Sequence, residues 1–321
     1  MSQLSKAVLE QAASIVHKVV PPTPQFCWPL LSKHLGAELW VKHENHTGVG
    51  AFKVRGGVVF FDDLSGSKTN AGVISATRGN HGQSIALNAK RYGIESTIVV
   101  PQGNSVEKNA AMRALGAELI EHGDDFQAAK VHAEALSKDR NLTMVPSFHP
   151  LLVRGVASYS LEFLSAVPDL DTVYVPIGLG SGICAMATAR NALGLKTDIV
   201  GVVSRHASAY ADSFKHRCYR ESPVSTKLAD GMACSTPVAE ALETIWQEVS
   251  RIVEVSDEEV ASAMRLIFAC THNVSEGAGA AATAAAMQDQ HLNKGRKIGV
   301  VLTGGNVDSN VFSEVLGSGQ L

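Results

Sequence analysis

Lys53 lies in the segment GVGAFKVRGG at residues 48–57, where glycines frame a basic residue whose immediate neighbours are apolar. Burial lowers the pKa of a lysine because desolvation penalises the ammonium form. A neutral amine near neutral pH is what Schiff-base chemistry on an aldehyde requires. The alternative is an ordinary strand lysine whose ammonium group reaches solvent. This segment alone leaves both interpretations open.

A second candidate site follows a β-branched run at residues 73–75 and precedes a helical pattern. It consists of Thr77, Arg78, Gly79, Asn80, His81 and Gly82. Backbone N–H groups at a helix N-terminus bind anions, and the Asn80 and His81 side chains add hydrogen-bond donors. The alternative is a plain helix cap made by Asn80, with glycines that only turn the chain.

The third candidate is a glycine-rich loop after a predicted strand at residues 172–175. It consists of Gly178, Leu179, Gly180, Ser181 and Gly182. Successive N–H groups in such a loop can surround a phosphate without a charged side chain. A dinucleotide site is the nearest alternative, but the spacing is G-x-G-x-G, and Ser204 and Arg205 stand where the ribose-binding acid belongs. The loop therefore favours the phosphate of a smaller ligand.

The fourth candidate, Thr303-Gly304-Gly305-Asn306, comes directly after a predicted strand at residues 298–302. A hydroxyl at a strand end, followed by two glycines, permits the close approach of a flat ring. The alternative is a simple tight turn.

Short β-branched runs alternate with alanine-rich stretches of helical spacing along the whole chain. Further strands are predicted at residues 96–100, 118–120 and 199–203, and helices at 83–92, 107–115, 126–137, 183–193 and 257–269. This alternation predicts an α/β fold with two open, twisted, mostly parallel sheets and helices on both faces. Ligands bind beyond the carboxyl ends of such strands, so the active site is expected in the interdomain cleft.

Proline-punctuated residues 146–150 suggest a boundary between two groups of strands and helices. We predict a large cofactor-binding domain from residues 1–53 and 147–321, and a small domain from residues 54–146 that closes over the substrate.

Composition excludes several classes of function. The chain has 28 basic and 31 acidic residues among 321, which provides no basic patch for nucleic acid. The five cysteines lack metal-knuckle spacing, and no apolar run approaches the length of a membrane span. We therefore expect a cytoplasmic protein that binds no membrane.

Together and in this order, the four segments resemble the fold type II family of pyridoxal-phosphate enzymes, in its threonine/serine dehydratase-like branch. The resemblance covers nearly the whole chain and implies a tryptophan synthase β-like fold, pyridoxal 5′-phosphate as cofactor and a homodimer. It also implies that Lys53 carries the cofactor as a Schiff base and then removes the Cα proton of an amino acid substrate.

The resemblance assigns the other candidate residues as well. Its cofactor-binding set is Phe52, Lys53, Asn80, Gly178, Leu179, Gly180, Ser181, Gly182, Glu276 and Thr303. Its substrate-binding set is Thr77, Arg78, Gly79, Asn80 and His81. Thr303 would face the pyridine nitrogen, and a neutral hydroxyl there favours β-elimination over transamination. Weaker similarities are residues 228–231 and 274–279.

Two positions depart from the family pattern. Arg78 stands where a small residue is usual, and it cannot act as the second base of a racemase because it stays protonated. We expect Arg78 to pair with a distal carboxylate on the substrate, with a surface or interdomain ion pair as the alternative. Val203 and Ala209 replace acidic residues of a divalent-metal site, so no metal is expected; Asp212 could serve only a shifted site.

These features predict an ammonia-lyase that eliminates the β-hydroxyl of a hydroxy amino acid to give a keto acid and ammonia, with a 3-hydroxyaspartate-type substrate favoured. The alternatives are a threonine/serine dehydratase, a hydroxyectoine-degradation dehydratase and a β-replacement synthase. A catalytically inactive ligand sensor conflicts with the presence of Lys53.

Overall fold

Two β-sheets, each covered by helices on both faces, form the framework of the protein. A computed structural model describes residues 4–65 and 71–319. The first segment contains α1 (Lys6–His17), β1 (Gln25–Cys27), α2 (Pro29–Leu35), β2 (Glu38–His43) and α3 (Lys53–Ser65). The next contains β3 (Val73–Ala76), α4 (Asn80–Arg91), β4 (Ser96–Val100), α5 (Val106–Ala114), β5 (Glu118–Glu121), α6 (Phe126–Asp139) and β6 (Thr143–Met144).

The C-terminal half continues the alternation of strands and helices. It contains α7 (Pro150–Ala166), β7 (Thr172–Pro176), α8 (Ser181–Ala192), β8 (Asp198–Ser204), α9 (Ala209–His216), α10 (Ala239–Glu248) and β9 (Arg251–Val255). It ends with α11 (Asp257–Thr271), α12 (Gly277–Gln288), α13 (Gln290–Asn293), β10 (Lys297–Leu302) and α14 (Ser309–Gly317). The six strands and five helices predicted from the sequence are all present, with ends shifted by up to three residues.

The larger sheet has the strand order β1-β2-β10-β7-β8-β9, and only the edge pair β1–β2 is antiparallel. Helices α7, α8 and α10 cover one face, and α2, α11 and α12 cover the other. Helix α12 is rich in alanine and is buried on every side, which explains why its sequence is apolar all round. The mostly parallel α/β prediction is confirmed.

The smaller sheet has the order β5-β4-β3-β6 and is parallel throughout. Helices α3, α4 and α5 pack on one face and α6 on the other. Local caps set where these helices begin: the Ser105 hydroxyl accepts from the Lys108 amide at α5, and the Asp125 carboxylate accepts from the Ala128 amide at α6.

Within the described parts of the chain, no helix is both long and apolar enough to cross a membrane.

Candidate active site

Lys53 is the first residue of α3 and lies beside the turn that follows β10. The Phe52 amide donates to the Thr303 carbonyl at 3.0 Å, and Ala51 pairs with Gly304 in an isolated antiparallel bridge. These contacts position the Lys53 side chain beside the first residue of α8, where its Nζ lies 3.1 Å from the Ser181 hydroxyl oxygen. The interpretation of Lys53 as a strand lysine is therefore wrong, because the residue begins a helix and its ammonium group points into the molecule.

Burial lowers the pKa of Lys53 from its usual 10.5 to about 8, and the negative charge of Glu276 partly opposes this shift. A larger share of the side chain is consequently the neutral amine at physiological pH. The Ser84 hydroxyl on α4 donates to the Lys53 carbonyl at 2.8 Å, which ties the start of α3 to the neighbouring helix.

The glycine-rich loop at residues 178–182 ends at the N-terminus of α8. Gly180 has φ +97°, which favours glycine, and a Cβ added there would lie 2.6 Å from the Ala241 Cβ. A Cβ at Gly178 would lie 2.5 Å from the Gly231 carbonyl oxygen. The loop thus presents backbone N–H groups without side chains in the way, and the first turn of α8 adds its own, as a phosphate site requires.

Tyr210 on α9 supports this loop from behind. Its buried hydroxyl donates to the Leu179 carbonyl at 3.0 Å and accepts from the Val238 amide at 2.9 Å. Nothing in the local sequence around Tyr210 indicates this role, because both of its partners are distant along the chain.

The loop that carries Thr77, Arg78 and Gly79 leads into α4. The Thr77 hydroxyl accepts from the Gly79 amide at 3.0 Å, and Gly79 itself has φ +151°. Asn80 and His81 are the first two residues of α4 and are not its cap, so the interpretation of Asn80 as a plain helix cap is wrong. The first amides of α4 have no acceptor within the helix and can therefore bind a carboxylate.

His81 is buried and neutral. Burial and the nearby Lys53 ammonium lower its pKa to about 3. Its Nε2 has no hydrogen-bond partner among the described residues, and the same holds for the Nε2 of Gln83, two residues further along α4. Such orphaned buried groups are expected where a ligand completes the site.

Glu276 and the turn at residues 303–306, which follows β10, contact Asn80 and each other. The Asn80 amide group donates to the Glu276 carboxylate at 2.6 Å, and the Asn306 amide group donates to the Asn80 side-chain oxygen at 2.9 Å. A Cβ at Gly304 would lie 2.5 Å from the Glu276 carboxylate, so the glycine after Thr303 is required by this close approach. The structure therefore brings all four predicted segments together.

Arg78 is partly exposed, and its guanidinium forms no salt bridge or hydrogen bond with any described residue. Its Nε is buried without a partner. The ion pair considered as the alternative is consequently not found among the residues at 4–65 and 71–319.

The positions of the family's metal site have no ligating side chains. Val203 and Ala209 are buried in the apolar core, and the Asp212 carboxylate accepts a hydrogen bond from the Ser208 hydroxyl at 2.7 Å. The described residues contain no cluster of three or more histidine, cysteine or acidic side chains suited to a metal ion.

A family model described as pyridoxal-phosphate dependent enzyme matches residues 16–304. The chain belongs to this family. A catabolic L-threonine dehydratase of Staphylococcus aureus is 31% identical over 316 residues, which is 97% of this chain and 91% of that relative.

Two solved structures of this pyridoxal-phosphate-dependent family are also similar to the chain. Processed threonine deaminase isoform 2 from Solanum lycopersicum has TM-score 0.90 and 26% identity, covering 100% of this chain and 96% of the other. A pyridoxal 5′-phosphate-dependent aspartate racemase has TM-score 0.89 and 26% identity, covering 97% and 98%. The chain is a pyridoxal-phosphate-dependent lyase of the threonine/serine dehydratase-like branch, and its cofactor is pyridoxal 5′-phosphate.

The residues of this pyridoxal-phosphate enzyme fit its cofactor. A half-buried lysine with a lowered pKa suits the cofactor aldehyde, and the glycine-rich loop before α8 suits its phosphate. Sequence reasoning missed one member of the same cluster, Lys108, whose Nζ lies 2.7 Å from Asp230 and 3.1 Å from Glu276.

Proposed function

We propose that this lyase acts on a β-hydroxy amino acid that carries a second carboxylate, of the 3-hydroxyaspartate type. The reaction removes the Cα proton and the β-hydroxyl as water and leaves an enamine. The enamine tautomerises to an imine, and the imine takes up water to give a keto acid and ammonia.

The observation that supports this substrate class is the unpaired guanidinium of Arg78. Arg78 lies in the loop that leads into α4, two residues before Asn80, where the helix begins whose first amides suit the substrate α-carboxylate. A planar guanidinium binds a carboxylate through two parallel hydrogen bonds, whereas the methyl group of threonine has no hydrogen-bond acceptor and no charge. A partly buried cation without an acidic partner is costly unless a ligand supplies the charge.

The chain's own residues would divide the remaining work. Lys53, as a neutral amine, removes the Cα proton, and the 3.1 Å contact of its Nζ with Ser181 fixes its position. Amides at the start of α4 hold the α-carboxylate, and neutral His81 lies beside them without adding charge. When bound, pyridoxal phosphate supplies an electron-withdrawing ring that accommodates the charge left on Cα. Thr303 would face the ring nitrogen, and the loop at residues 178–182 would hold the phosphate.

Threonine or serine is the second candidate substrate, because the relative from Staphylococcus aureus is a threonine dehydratase. The aspartate racemase, which shares this fold, supports the view that the same framework accommodates a dicarboxylic amino acid.

The test compares 3-hydroxyaspartate with threonine and serine in the wild type and in Arg78→Ala. Loss of a charge-assisted bidentate contact of about 3 kcal/mol should lower kcat/KM for 3-hydroxyaspartate by roughly 100-fold, with less than about threefold change for threonine. Arg91→Ala, at the exposed C-terminal end of α4, the helix that follows Arg78, is the control for charge and should change neither value. Equal losses for both substrates would show that Arg78 does not recognise a distal carboxylate.

The other reactions are distinguished by their products. A β-replacement synthase would incorporate an added thiol into a new amino acid, whereas the proposed lyase releases only keto acid and ammonia. A hydroxyectoine-degradation dehydratase would prefer a hydroxylated diamino or N-acylated substrate in the same panel.

We further propose that the enzyme is a cytoplasmic homodimer, as the family resemblance implies. Light scattering of the purified holoenzyme would give twice the chain mass of 33.9 kDa, and a monomer mass would contradict this.

A further inference from the structure

Lys108 lies on α5, which packs on the smaller sheet. Its ammonium group pairs with two acids from the C-terminal half of the chain, whose strands belong to the larger sheet. Its Nζ lies 2.7 Å from the Asp230 carboxylate and 3.1 Å from the Glu276 carboxylate. The Lys108 side chain is 6% exposed and that of Glu276 is 3% exposed, so water screens this pair very little.

The stem of Lys108 also supports the substrate loop. A Cβ added at Gly79 would lie 2.4 Å from the Lys108 Cδ, so the aliphatic chain lies directly against that glycine. The same side chain therefore touches the loop that suits the α-carboxylate and the acid that contacts Asn80.

Helix α5 is fixed in this place by a reciprocal arrangement of caps with α14. The Asp308 carboxylate accepts hydrogen bonds from the Val106 and Glu107 amides, both at 3.2 Å. In return, the Glu107 carboxylate accepts from the Ser309 amide at 2.8 Å. Each helix N-terminus is thus capped by an acid of the other, and Lys108 lies in the turn that these contacts hold.

We propose that Lys108 is a positioning residue of the reaction: its ammonium group favours the ionised form of the Glu276 carboxylate and thereby orients Asn80, which links the docking of α5 to completion of the active site. The inference concerns the cofactor end of the site and does not depend on the distal-carboxylate substrate.

The charged groups around Glu276 act in opposite directions. Burial raises the pKa of Glu276 above its usual value and Asp230 raises it further, whereas the charge of Lys108 and the hydrogen bond from Asn80 oppose this rise without cancelling it. From α3, the Lys53 ammonium also interacts with Glu276. The pairing with two acids raises the pKa of Lys108 itself, so this lysine remains charged throughout the working range. Removing its charge would take away the main opposing effect and raise the pKa of Glu276 further, so Glu276 would take up a proton at still higher pH.

The experiment measures kcat against pH for the holoenzyme and for Lys108→Met, with whichever β-hydroxy amino acid is turned over fastest. The acid limb of the profile should move to higher pH, and each unit of movement lowers kcat at a fixed pH below the limb by about tenfold. The pH titration of the bound cofactor's visible absorbance should show the same displacement without turnover. An unmoved acid limb and an unmoved absorbance titration would overturn the proposal.

Three further variants separate positioning from a merely structural role. Lys108→Arg keeps the cation and should restore most of the wild-type profile. Asp230→Asn removes the other partner of Lys108. If it moves the acid limb and the absorbance titration as Lys108→Met does, the lysine only holds the two parts of the chain together and the proposal is wrong. In a Glu276→Gln background, Lys108→Met should not move the profile further. Lys130→Met, which breaks the exposed pair with Glu134, is the matched control and should leave the profile unchanged.

Discussion

The titration of Lys53 is the property of the site that can be tested most directly. With a pKa of about 8 instead of 10.5, roughly 9% of the side chain is neutral at pH 7, compared with roughly 0.03% for an ordinary lysine, a gain of roughly 300-fold. Because only the neutral amine attacks an aldehyde, the cofactor-free enzyme should capture pyridoxal phosphate correspondingly faster than a free lysine side chain does.

The assay follows cofactor capture by stopped-flow absorbance between pH 6 and pH 11, with each rate divided by that of a blocked free lysine in the same buffer. This ratio cancels the ionisations of the cofactor itself. The ratio should be greatest at low pH, begin to fall near pH 8 as Lys53 becomes fully neutral, and level off above about pH 10.5, where both amines are neutral.

Glu276→Gln provides the internal control for this reasoning. The negative charge of Glu276 raises the pKa of Lys53 against the effect of burial, so its removal should move the midpoint below that of the wild type. A ratio that stays constant across the whole pH range would refute a lowered pKa, and a Glu276→Gln midpoint above that of the wild type would refute the assigned cause.

Three other outcomes follow from the structure. Arg55 is fully buried between Glu44 and Glu162. Arg55→Met should therefore lower the free energy of unfolding by about 3–5 kcal/mol in denaturant titrations. Arg140→Met, which removes an exposed ion pair with Glu118, is the control and should lower it by less than about 1 kcal/mol. Gly180→Ala should weaken cofactor binding by roughly tenfold or more in equilibrium dialysis, whereas Gly194→Ala, with open space around its Cβ, should leave it unchanged. A chelator or millimolar magnesium should leave the Tm of the holoenzyme unaltered, and a clear shift would reveal a metal site that the described residues do not show.

Much of the active site could be predicted from the sequence because its signals are local. The glycine loops directly follow β-branched strands, and the position of each loop at a strand end follows from the parallel sheet. Lys53 was harder, because its apolar neighbours are equally typical of a strand. The residue begins a helix because the bridge between Ala51 and Gly304, distant in sequence, fixes the chain just before it.

Lys108 and β2 were missed for a related reason. A lysine in a charged helix such as α5 has the pattern of a solvated residue, and the acids that pair with its ammonium group are more than a hundred positions away. Strand β2 ends in a lysine and a histidine and is followed by Glu44, so its sequence does not suggest a buried strand. Lys42 and Glu44 are nevertheless buried, because Arg55 and Glu162 complete an ion network around them. Contacts of this kind depend on the tertiary structure and leave no periodic trace.

The location of β10 has a consequence for how the protein is made. This strand lies between β2 and β7 in the larger sheet, yet it follows all the other described strands along the chain. During synthesis on the ribosome, β2 and β7 each therefore have one unpaired edge until residues 297–302 emerge and pair with both strands. Lys53 is synthesised early, but its partner turn at Thr303 is synthesised only after β10. The nascent chain thus cannot form a complete cofactor site until β10 and this turn have been made, and a chain that stops before β10 would expose two unpaired strand edges to aggregation.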